Sequence, residues 1–398
     1  MATIIFLYPY PFTEFDYYNY ELVFLEKKNK YKIIIHDLSH ILSKKKLNES
    51  WNTKIYNQSI KFKSIYDWMV QLNKAKKQNK VYIYDTIDIF SFKAFIIKLL
   101  IKFSKLPVIQ HQLEENAIWS PKKNLKYYFK KVIFHNFRLN VYFIAIKNFL
   151  FKKLINQIRY NKLFLMTNHL PENSNKKNIF FKSFHSRDYS NAIIGAKTSS
   201  NLNSKKKIIY IDSGSPYFGG DGPLLGEIVP KNNVRDWYKE LNIFFDKLEN
   251  IFKSEVIIIP HSKYKIPNLK DKNLIPYFNN RKTDNSYDAL SRLVSNSLFV
   301  ISKGSTAIAH AVFHLKPVQI IFSSNYKYVD QERKNLFFQG SLIGSSVIDI
   351  SKFEYEKIKS NLKINQSKYN SYKLKYLSFE SQKKVKPNFE LLSDLVSN

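Results

Sequence analysis

The stretch LFVISKGSTAIAHAVFHLKPVQIIF (298–322) contains one complete strand–helix–strand unit. Its two apolar ends predict strands, and the small-residue run AIAHAVFHL (307–315) predicts the helix that joins them. Strands that alternate with helices indicate a parallel sheet with crossover helices. The turn Gly304-Ser305-Thr306 follows the first strand, so it lies at the sheet edge where α/β proteins bind their ligands.

The same alternation continues towards the N-terminus. Strands predicted at 208–212 and 255–261 flank a helix at 234–253, in which apolar residues starting with Trp237 and Leu241 recur at helical spacing. The first half repeats the pattern independently, with strands predicted at 2–8, 31–39, 81–86 and 106–112. Two such patterns in succession predict two sheets, and 398 residues are enough for two domains.

A change of composition places the boundary between the two halves near residue 200. The run SSNLNSKKK (199–207) is polar and turn-forming, and a strong strand follows it. We therefore predict an α/β fold with two Rossmann-like domains and a cleft between them. The predicted units are an N-terminal domain at 1–200, a C-terminal domain at 201–352, and a helical tail at 353–398 that packs back on the N-terminal domain.

Composition limits the classes of function. The formal charge of +32, from 64 Lys+Arg against 32 Asp+Glu, favours anionic partners such as nucleotides, acidic glycans, anionic lipid or nucleic acid. An AT-rich coding sequence would produce much of the same lysine excess. The basic residues are spread along the chain, which disfavours a nucleic-acid-binding module. The chain has no cysteine, which excludes disulfides and zinc–thiolate sites.

The chain carries no pattern typical of a membrane span or a signal peptide. The first residues, MATIIFLYPYPFTEF, lack a basic region and predict a β-strand. Residues 122–160 interleave lysines with large apolar side chains, a pattern that suits a helix lying on an anionic membrane surface. The alternative is a core helix whose lysines reach outward to water.

Two aspartates follow the strand at 208–212. Asp212 ends this strand, where a carboxylate could act as general base or nucleophile, and Asp221 lies in the glycine-rich loop after it. The alternatives are an Asx-turn at Asp212 and an ordinary turn at Asp221. Glu114 and Glu115 follow another strand of the first half and are candidates for a second carboxylate or an acceptor contact, or else for a solvated helix start.

Two further strand ends carry groups that suit a phosphate. His261 ends the strand at 255–261, where an imidazole could assist a leaving phosphate, although a lone histidine is often structural. Lys303, Gly304, Ser305 and Thr306 precede the helix at 307–315, and helix N-termini and hydroxyls bind anions. The alternative is that Ser305 or Thr306 only caps the helix.

These motifs resemble those of bacterial surface-polysaccharide glycosyltransferases with the GT-B fold, particularly enzymes that use CMP-activated sialic-acid-type or Kdo-type sugars. The resemblance covers roughly 206–325, about a third of the chain. The family's acidic motif matches Asp221-Gly222 or Asp212, its His-Pro motif matches His261, and its Ser-Ser/Thr motif matches Ser305-Thr306. Here the histidine is followed by Ser262 in place of proline.

The resemblance implies a metal-independent glycosyltransferase with no cofactor, since the CMP-sugar is the donor substrate. It would act at the cytoplasmic face of a bacterial inner membrane on a capsule or lipopolysaccharide acceptor, with a basic cleft for the donor's phosphate and carboxylate. No carboxylate pair typical of a metal site occurs in the sequence. The alternatives are a teichoic-acid-type polyol-phosphate transferase, a UDP-sugar transferase, or a non-enzymatic nucleic-acid-binding protein.

Overall fold

A computed structural model describes residues 2–29, 31–42, 54–78, 80–112, 139–167, 178–198, 206–213, 234–261, 278–326, 330–378 and 385–397. Within these ranges the chain forms two separate parallel sheets, each with helices on both faces. The predicted α/β class with two Rossmann-like domains is confirmed.

The first sheet has the strand order β3-β2-β1-β4-β5-β6-β7, which is typical of a doubly wound α/β domain. Its strands are β1 (Thr3–Tyr8), β2 (Lys32–Asp37), β3 (Ile60–Lys61), β4 (Val81–Asp85), β5 (Val108–Gln112), β6 (Leu163–Thr167) and β7 (Ile179–Ser183). The helices between them are α1 (Glu14–Asn19), α2 (Leu22–Asn29), α3 (Ser39–Leu42), α4 (Ile65–Lys76), α5 (Phe92–Ser104) and α6 (Leu139–Asn156).

The second sheet has the order β12-β11-β10-β8-β9. Its strands are β8 (Lys207–Ile211), β9 (Val256–Ile259), β10 (Ser297–Ser302), β11 (Val318–Phe322) and β12 (Ile348–Asp349). The remaining helices are α7 (Arg187–Thr198), α8 (Val234–Phe252), α9 (Ala289–Ser295), α10 (Ile308–Phe313), α11 (Asp330–Ile343), α12 (Tyr355–Asn361), α13 (Gln366–Tyr372), a π-helix (Lys373–Leu377) and α14 (Asn388–Ser397).

Both sheets are buried on both faces, which is why their strands are almost continuously apolar. Every residue of β1 is buried, with Ile4 and Phe6 packed in one core cluster and Ile5 and Leu7 in the opposite one. In the second domain, Trp237 of α8 packs against the sheet, as its helical spacing predicts.

The C-terminal region contacts both domains. Tyr369 and Tyr372 of α13 belong to a core cluster of the second domain, whereas Phe389 and Leu392 of α14 belong to a core cluster of the first. Helix α7 packs against α9 and α10, and the predicted boundary near 200 falls just after it. The domain limits themselves stay predictions.

Candidate functional site

A cavity of about 820 Å³ lies between the two domains, at the carboxyl edges of their sheets. Residues that follow β1, β4 and β7 line it from the first domain, and residues that follow β8, β9 and β10 line it from the second. Because parallel strands end on the same edge, three separate strand ends of each sheet converge on this space.

Asp212 lies at the end of β8 and lines the cavity, although only 2% of the residue is exposed. Its N–H donates to the carbonyl of Ile259 at 2.9 Å, and the Tyr210 hydroxyl donates to its Oδ1 at 3.3 Å. The carboxylate is therefore held on a rigid strand end, which suits a group that must meet a reacting atom.

His261 and Asp212 follow neighbouring strands of the second sheet. Ile211 of β8 pairs with Ile259 of β9, and neighbouring strands are about 4.8 Å apart. His261 follows Ile259 by two residues, is half-buried and lines the cavity. The structure thus places on one cavity the carboxylate and the imidazole that lie 49 positions apart in the sequence.

The Gly304-Ser305-Thr306 turn is also at the cavity, where Ser305 and Thr306 line the wall. Gly304 has φ of 76°, in the left-handed region that favours glycine, and a Cβ there would come within 2.9 Å of Leu336. The Ser305 N–H donates to Ser302 Oγ at 3.1 Å, and Ser305 Oγ accepts from the Ala307 N–H at 3.2 Å. The N–H groups of Ser305 and Ala307 are therefore already hydrogen-bonded within the turn.

The helix after this turn is shorter than the sequence predicts. Helix α10 begins at Ile308 and has six residues, with Ala307 as its N-cap and no capping side-chain hydrogen bond. Ser305 Oγ nevertheless accepts the Ala307 N–H just before the helix, which agrees with the alternative interpretation that Ser305 caps this turn. Since a short helix has a weak dipole, any anion binding at this turn would depend chiefly on the hydroxyls.

Lys303 does not line the cavity. Its ammonium pairs with Glu332 at 2.9 Å and lies 4.9 Å from the ring centroid of Trp237 and 5.0 Å from that of Tyr326. Burial lowers the pKa of Lys303, against the opposing effects of Glu332 and Asp212. The side chain is buried, so the structure gives no support to its predicted contact with a ligand in the cavity. Asp221, Glu114 and Glu115 lie outside the described residues.

The first-domain wall of the cavity was not predicted, and it is built around Asp16. The buried carboxylate accepts from the Tyr8 hydroxyl at 2.9 Å and from the Thr13 N–H at 3.1 Å, while Thr13 accepts from the Asp16 N–H. This capping box starts α1 and fixes the tyrosine at the end of β1. Burial, and then Asp16, raises the pKa of Tyr8 well above its ordinary value, so its hydroxyl stays protonated.

The second part of this wall follows β7 and faces a loop of the other domain. The guanidinium of Arg187 stacks over the ring of Tyr20 at 4.8 Å. Across the cleft, the Tyr287 hydroxyl lies 3.1 Å from both the carbonyl oxygen of Tyr18 and Asn191 Oδ1, and either oxygen can accept its proton. The two domains are thus in direct contact at one side of the cavity.

The cavity contains a second histidine, His310 on α10. It is 2% exposed, and its Nδ1 lies 3.2 Å from Ser291 Oγ. Burial lowers the pKa of His310 to about 3, so the imidazole is neutral at physiological pH. In the sequence, His310 lies within an apolar helix. The small residues around it were the one feature that distinguished this helix from an ordinary core helix.

The charge of the described cavity wall differs from the predicted basic cleft. Seven carboxylate residues line it, against two lysine or arginine residues. The acidic residues are Glu14, Asp16, Asp88, Asp188, Asp212, Asp284 and Asp288, and the basic ones are Lys54 and Arg187. The basic excess of the whole chain therefore does not extend to this part of the cavity.

The sequence held one usable indication of the missed residues. SFHSRD (183–188) places a polar cluster directly after an apolar run, the same pattern that marks Asp212 and His261. Among the described residues, no group of three or more His, Asp or Glu side chains is arranged to hold a metal ion. The described helices include none that is long and apolar enough to cross a membrane.

Several solved structures are similar to this chain at low sequence identity, with TM-scores below 0.5. MurG of Acinetobacter baumannii is 9% identical, with 100% of this chain and 99% of that chain covered and a TM-score of 0.46. UGT2 of Phytolacca americana, complexed with UDP-2fluoro-glucose and pterostilbene, is 9% identical, with 100% and 98% covered and a TM-score of 0.49. The wall teichoic acid polymerase TagF is 11% identical, with 100% and 88% covered and a TM-score of 0.46.

No protein-family model matches the sequence, and no curated protein is significantly similar to it. The likeness to solved structures concerns the fold. Two parallel α/β domains that face each other across a cleft at their carboxyl edges form the GT-B architecture, and this chain has it.

Proposed function

We propose that this protein is a glycosyltransferase that moves an acidic sugar, such as sialic, legionaminic or pseudaminic acid or Kdo, from a CMP-sugar to a bacterial surface glycan. One observation carries the proposal. Asp212, His261 and the Ser305-Thr306 turn, from three strand ends, line one cavity between the domains. A carboxylate, an imidazole and hydroxyl groups are the set that sugar transfer from a nucleotide needs.

The second-domain wall would bind the donor. His261 and the hydroxyls of Ser305 and Thr306 would contact the CMP phosphate and stabilise the charge that it gains as the bond to the sugar breaks. Asp212 would act on the sugar, either as the base that takes the proton of the acceptor hydroxyl or as a nucleophile. Both routes use one aspartate, so the stereochemical outcome stays open.

The first-domain wall would bind the acceptor. It presents tyrosine side chains at Tyr10, Tyr18 and Tyr20 and the carboxylates of Asp88 and Asp188. Sugar rings pack against aromatic faces, and sugar hydroxyls donate to carboxylates, whereas a phosphate would be repelled. An uncharged sugar at the acceptor end therefore suits this wall better than an anionic one.

Two related activities compete with the CMP-sugar proposal. UGT2 was solved with a UDP-sugar, and TagF is a wall teichoic acid polymerase. A UDP-sugar transferase or a polyol-phosphate transferase could use the same three strand ends. The non-enzymatic alternative, a nucleic-acid-binding protein, is favoured only by the charge of the whole chain.

A nucleotide screen by thermal unfolding tests the donor. A ligand that binds only the folded protein raises its melting temperature, so CMP should raise it more than UDP, GDP or CDP-glycerol at the same concentration. A shift with UDP or CDP-glycerol alone would reject the CMP assignment and support the corresponding rival. Metal independence is tested separately by transfer assays with EDTA, where a need for added divalent metal would contradict it.

A further inference from the structure

One face of the first domain combines exposed apolar side chains with lysines. We call it the apolar–basic face, and it lies on the packed pair of helices α5 and α6. Its apolar members are Phe92, Phe103, Phe149, Leu150 and Leu154, which are between 43% and 68% exposed. Its cationic members are Lys93, Lys102, Lys105, Lys147, Lys152 and Lys153.

In the part of α6 whose side chains the structure describes, from Lys147 onward, a narrow stripe packs against the domain. Between positions 147 and 158, the residues that are not fully exposed are Phe151, Ile155 and Ile158, at the i, i+4, i+7 spacing of one helix face. Phe151 contacts Phe92 of α5, with ring centroids 6.1 Å apart. The other side chains between positions 147 and 158, which include Phe149 and Leu150, are exposed.

Helix α5 extends the same apolar surface. Phe92 and Phe103 are 11 positions apart, which returns to the same side of an α-helix and spans about 16 Å along its axis. Its other stripe, with Ile97 and Ile101, is buried in the domain core. Helix α5 therefore has a second apolar stripe that stays largely exposed, although Phe151 of α6 contacts it at Phe92.

The charge of this face has one sign. Neither α5 nor α6 contains an aspartate or glutamate, and the sequence has none between Glu115 and Glu172. A helix with apolar side chains amid lysines and without carboxylates complements a surface that is apolar beneath an anionic layer. That combination describes an anionic lipid bilayer, where apolar groups enter the acyl boundary and lysines meet the headgroups.

We propose that the apolar–basic face docks this protein on an anionic lipid bilayer. Asp88 lines the cavity and Phe92 follows it by four residues, so the face begins beside the cleft. Docking would then hold the cleft close to the headgroups. The inference does not depend on the donor or on transfer activity, because binding to lipid is measured without any substrate.

Vesicle sedimentation of the full chain tests the proposal. The protein should sediment with vesicles of phosphatidylcholine and phosphatidylglycerol and remain in the supernatant with phosphatidylcholine alone. The triple variant Phe149→Ser/Leu150→Ser/Leu154→Ser should lose at least about 100-fold in partition coefficient, because each of these side chains would lose its contact with the acyl boundary. The variant Lys147→Gln/Lys152→Gln/Lys153→Gln should lose about fivefold per lysine removed.

A matched control removes exposed apolar groups elsewhere. Ile243 and Ile251 of α8 are 47% and 42% exposed on the other domain, and Ile243→Ser/Ile251→Ser should bind vesicles like the unmodified protein. Equal losses in this control and in the α6 variant would overturn the proposal. Unchanged vesicle binding in both α6 variants would also overturn the proposal. The same holds if these variants change only the binding of RNA or the self-association of the protein.

Hydrogen exchange on the unmodified protein gives a test that does not depend on variants folding. Anionic vesicles should slow amide exchange at 147–158 and at 92–104 and leave α8 unchanged. Slowing that is absent from both α5 and α6 would contradict the docking face even if every variant were unstable.

Discussion

The two walls of the cleft are built differently. The second-domain wall contains short polar groups at the ends of buried strands, such as Asp212 and Ser305, whose hydrogen bonds come chiefly from nearby strand and turn residues. The first-domain wall consists of larger side chains on loops and helices, and Tyr8, Asp16 and Thr13 hold one another in place. Residues at strand ends can be identified from the sequence, whereas the first-domain wall depends on contacts between residues of different elements.

The difference also separates two proposed tasks. A carboxylate and an imidazole on rigid strand ends are suited to chemistry at a fixed point. A wall of tyrosines and carboxylates is suited to holding a sugar by ring contacts and hydroxyl hydrogen bonds. Variants of the two walls should therefore change different kinetic quantities.

The largest effect is expected at Asp212. Asp212→Asn keeps the shape of the side chain but removes the base or nucleophile, so turnover should fall by at least about 100-fold. CMP affinity, measured by calorimetry, should change little. Asp88→Asn is the matched control, since it removes a carboxylate from the opposite wall. If Asp212→Asn kept normal turnover, Asp221, Glu114 or Glu115 would become the next candidate.

A second effect, on the pH dependence of stability, is expected at Glu21, where α14 packs against the first domain. Glu21 accepts a hydrogen bond from the Phe389 N–H at 2.8 Å, and burial raises its pKa to about 7 despite this bond and one from Ser190. The unfolded chain has the ordinary pKa of 4.5, so the folded state keeps the proton to a higher pH. The contribution of Glu21 to the free energy of unfolding is therefore largest below about pH 4.5, and it is lost as the pH rises to about 7.

Glu21→Gln should remove this pH dependence. The difference in unfolding free energy between pH 5 and pH 8 should shrink by up to about 3 kcal/mol, the free energy of a shift of this size. Denaturant unfolding at both pH values measures it, with Glu356→Gln, at an exposed position of α12, as the control. An unchanged pH profile in Glu21→Gln would mean that the buried carboxyl is ionised throughout this range.

A third effect is expected at the phosphate contacts. His261→Ala and the double variant Ser305→Ala/Thr306→Ala should each weaken CMP binding by about 1.5–3 kcal/mol per lost contact to charged phosphate. Their melting temperatures without ligand should stay close to that of the unmodified protein. A variant that loses stability but binds CMP normally would show that its residue has a structural role only.

The smallest effect is expected on the first-domain wall. Tyr10 donates to Asp88 at 3.2 Å, and Tyr10→Phe removes this bond while keeping the ring. The acceptor KM should rise by about three- to tenfold, because a hydrogen bond at an exposed position contributes only about 1 kcal/mol, with turnover at saturating acceptor unchanged. A rise in the donor KM alone would indicate that the donor binds at the first-domain wall, and the proposed tasks of the two walls would then be exchanged.

Much of the fold was predictable because it depends on local periodicity. Apolar runs of strand length and the helical spacing of Trp237 and Leu241 reflect which side chains are buried on folding. This pattern can be recognised in the sequence alone. The same periodicity locates strand ends, so Asp212, His261, Ser305 and Thr306 could be selected without a structure. The contribution of Asp16 was not predictable, because its partner Tyr8 belongs to a different element.

The sequence by itself determined the two α/β domains and the three strand ends of the second-domain wall. Only the tertiary structure decided that Lys303 turns away to Glu332, and that Arg187 and Tyr287 border the same cavity. The physical reason is the range of the interactions. Secondary structure follows from neighbours a few positions apart, whereas the orientation of a side chain at a strand end depends on groups that folding brings from distant parts of the chain.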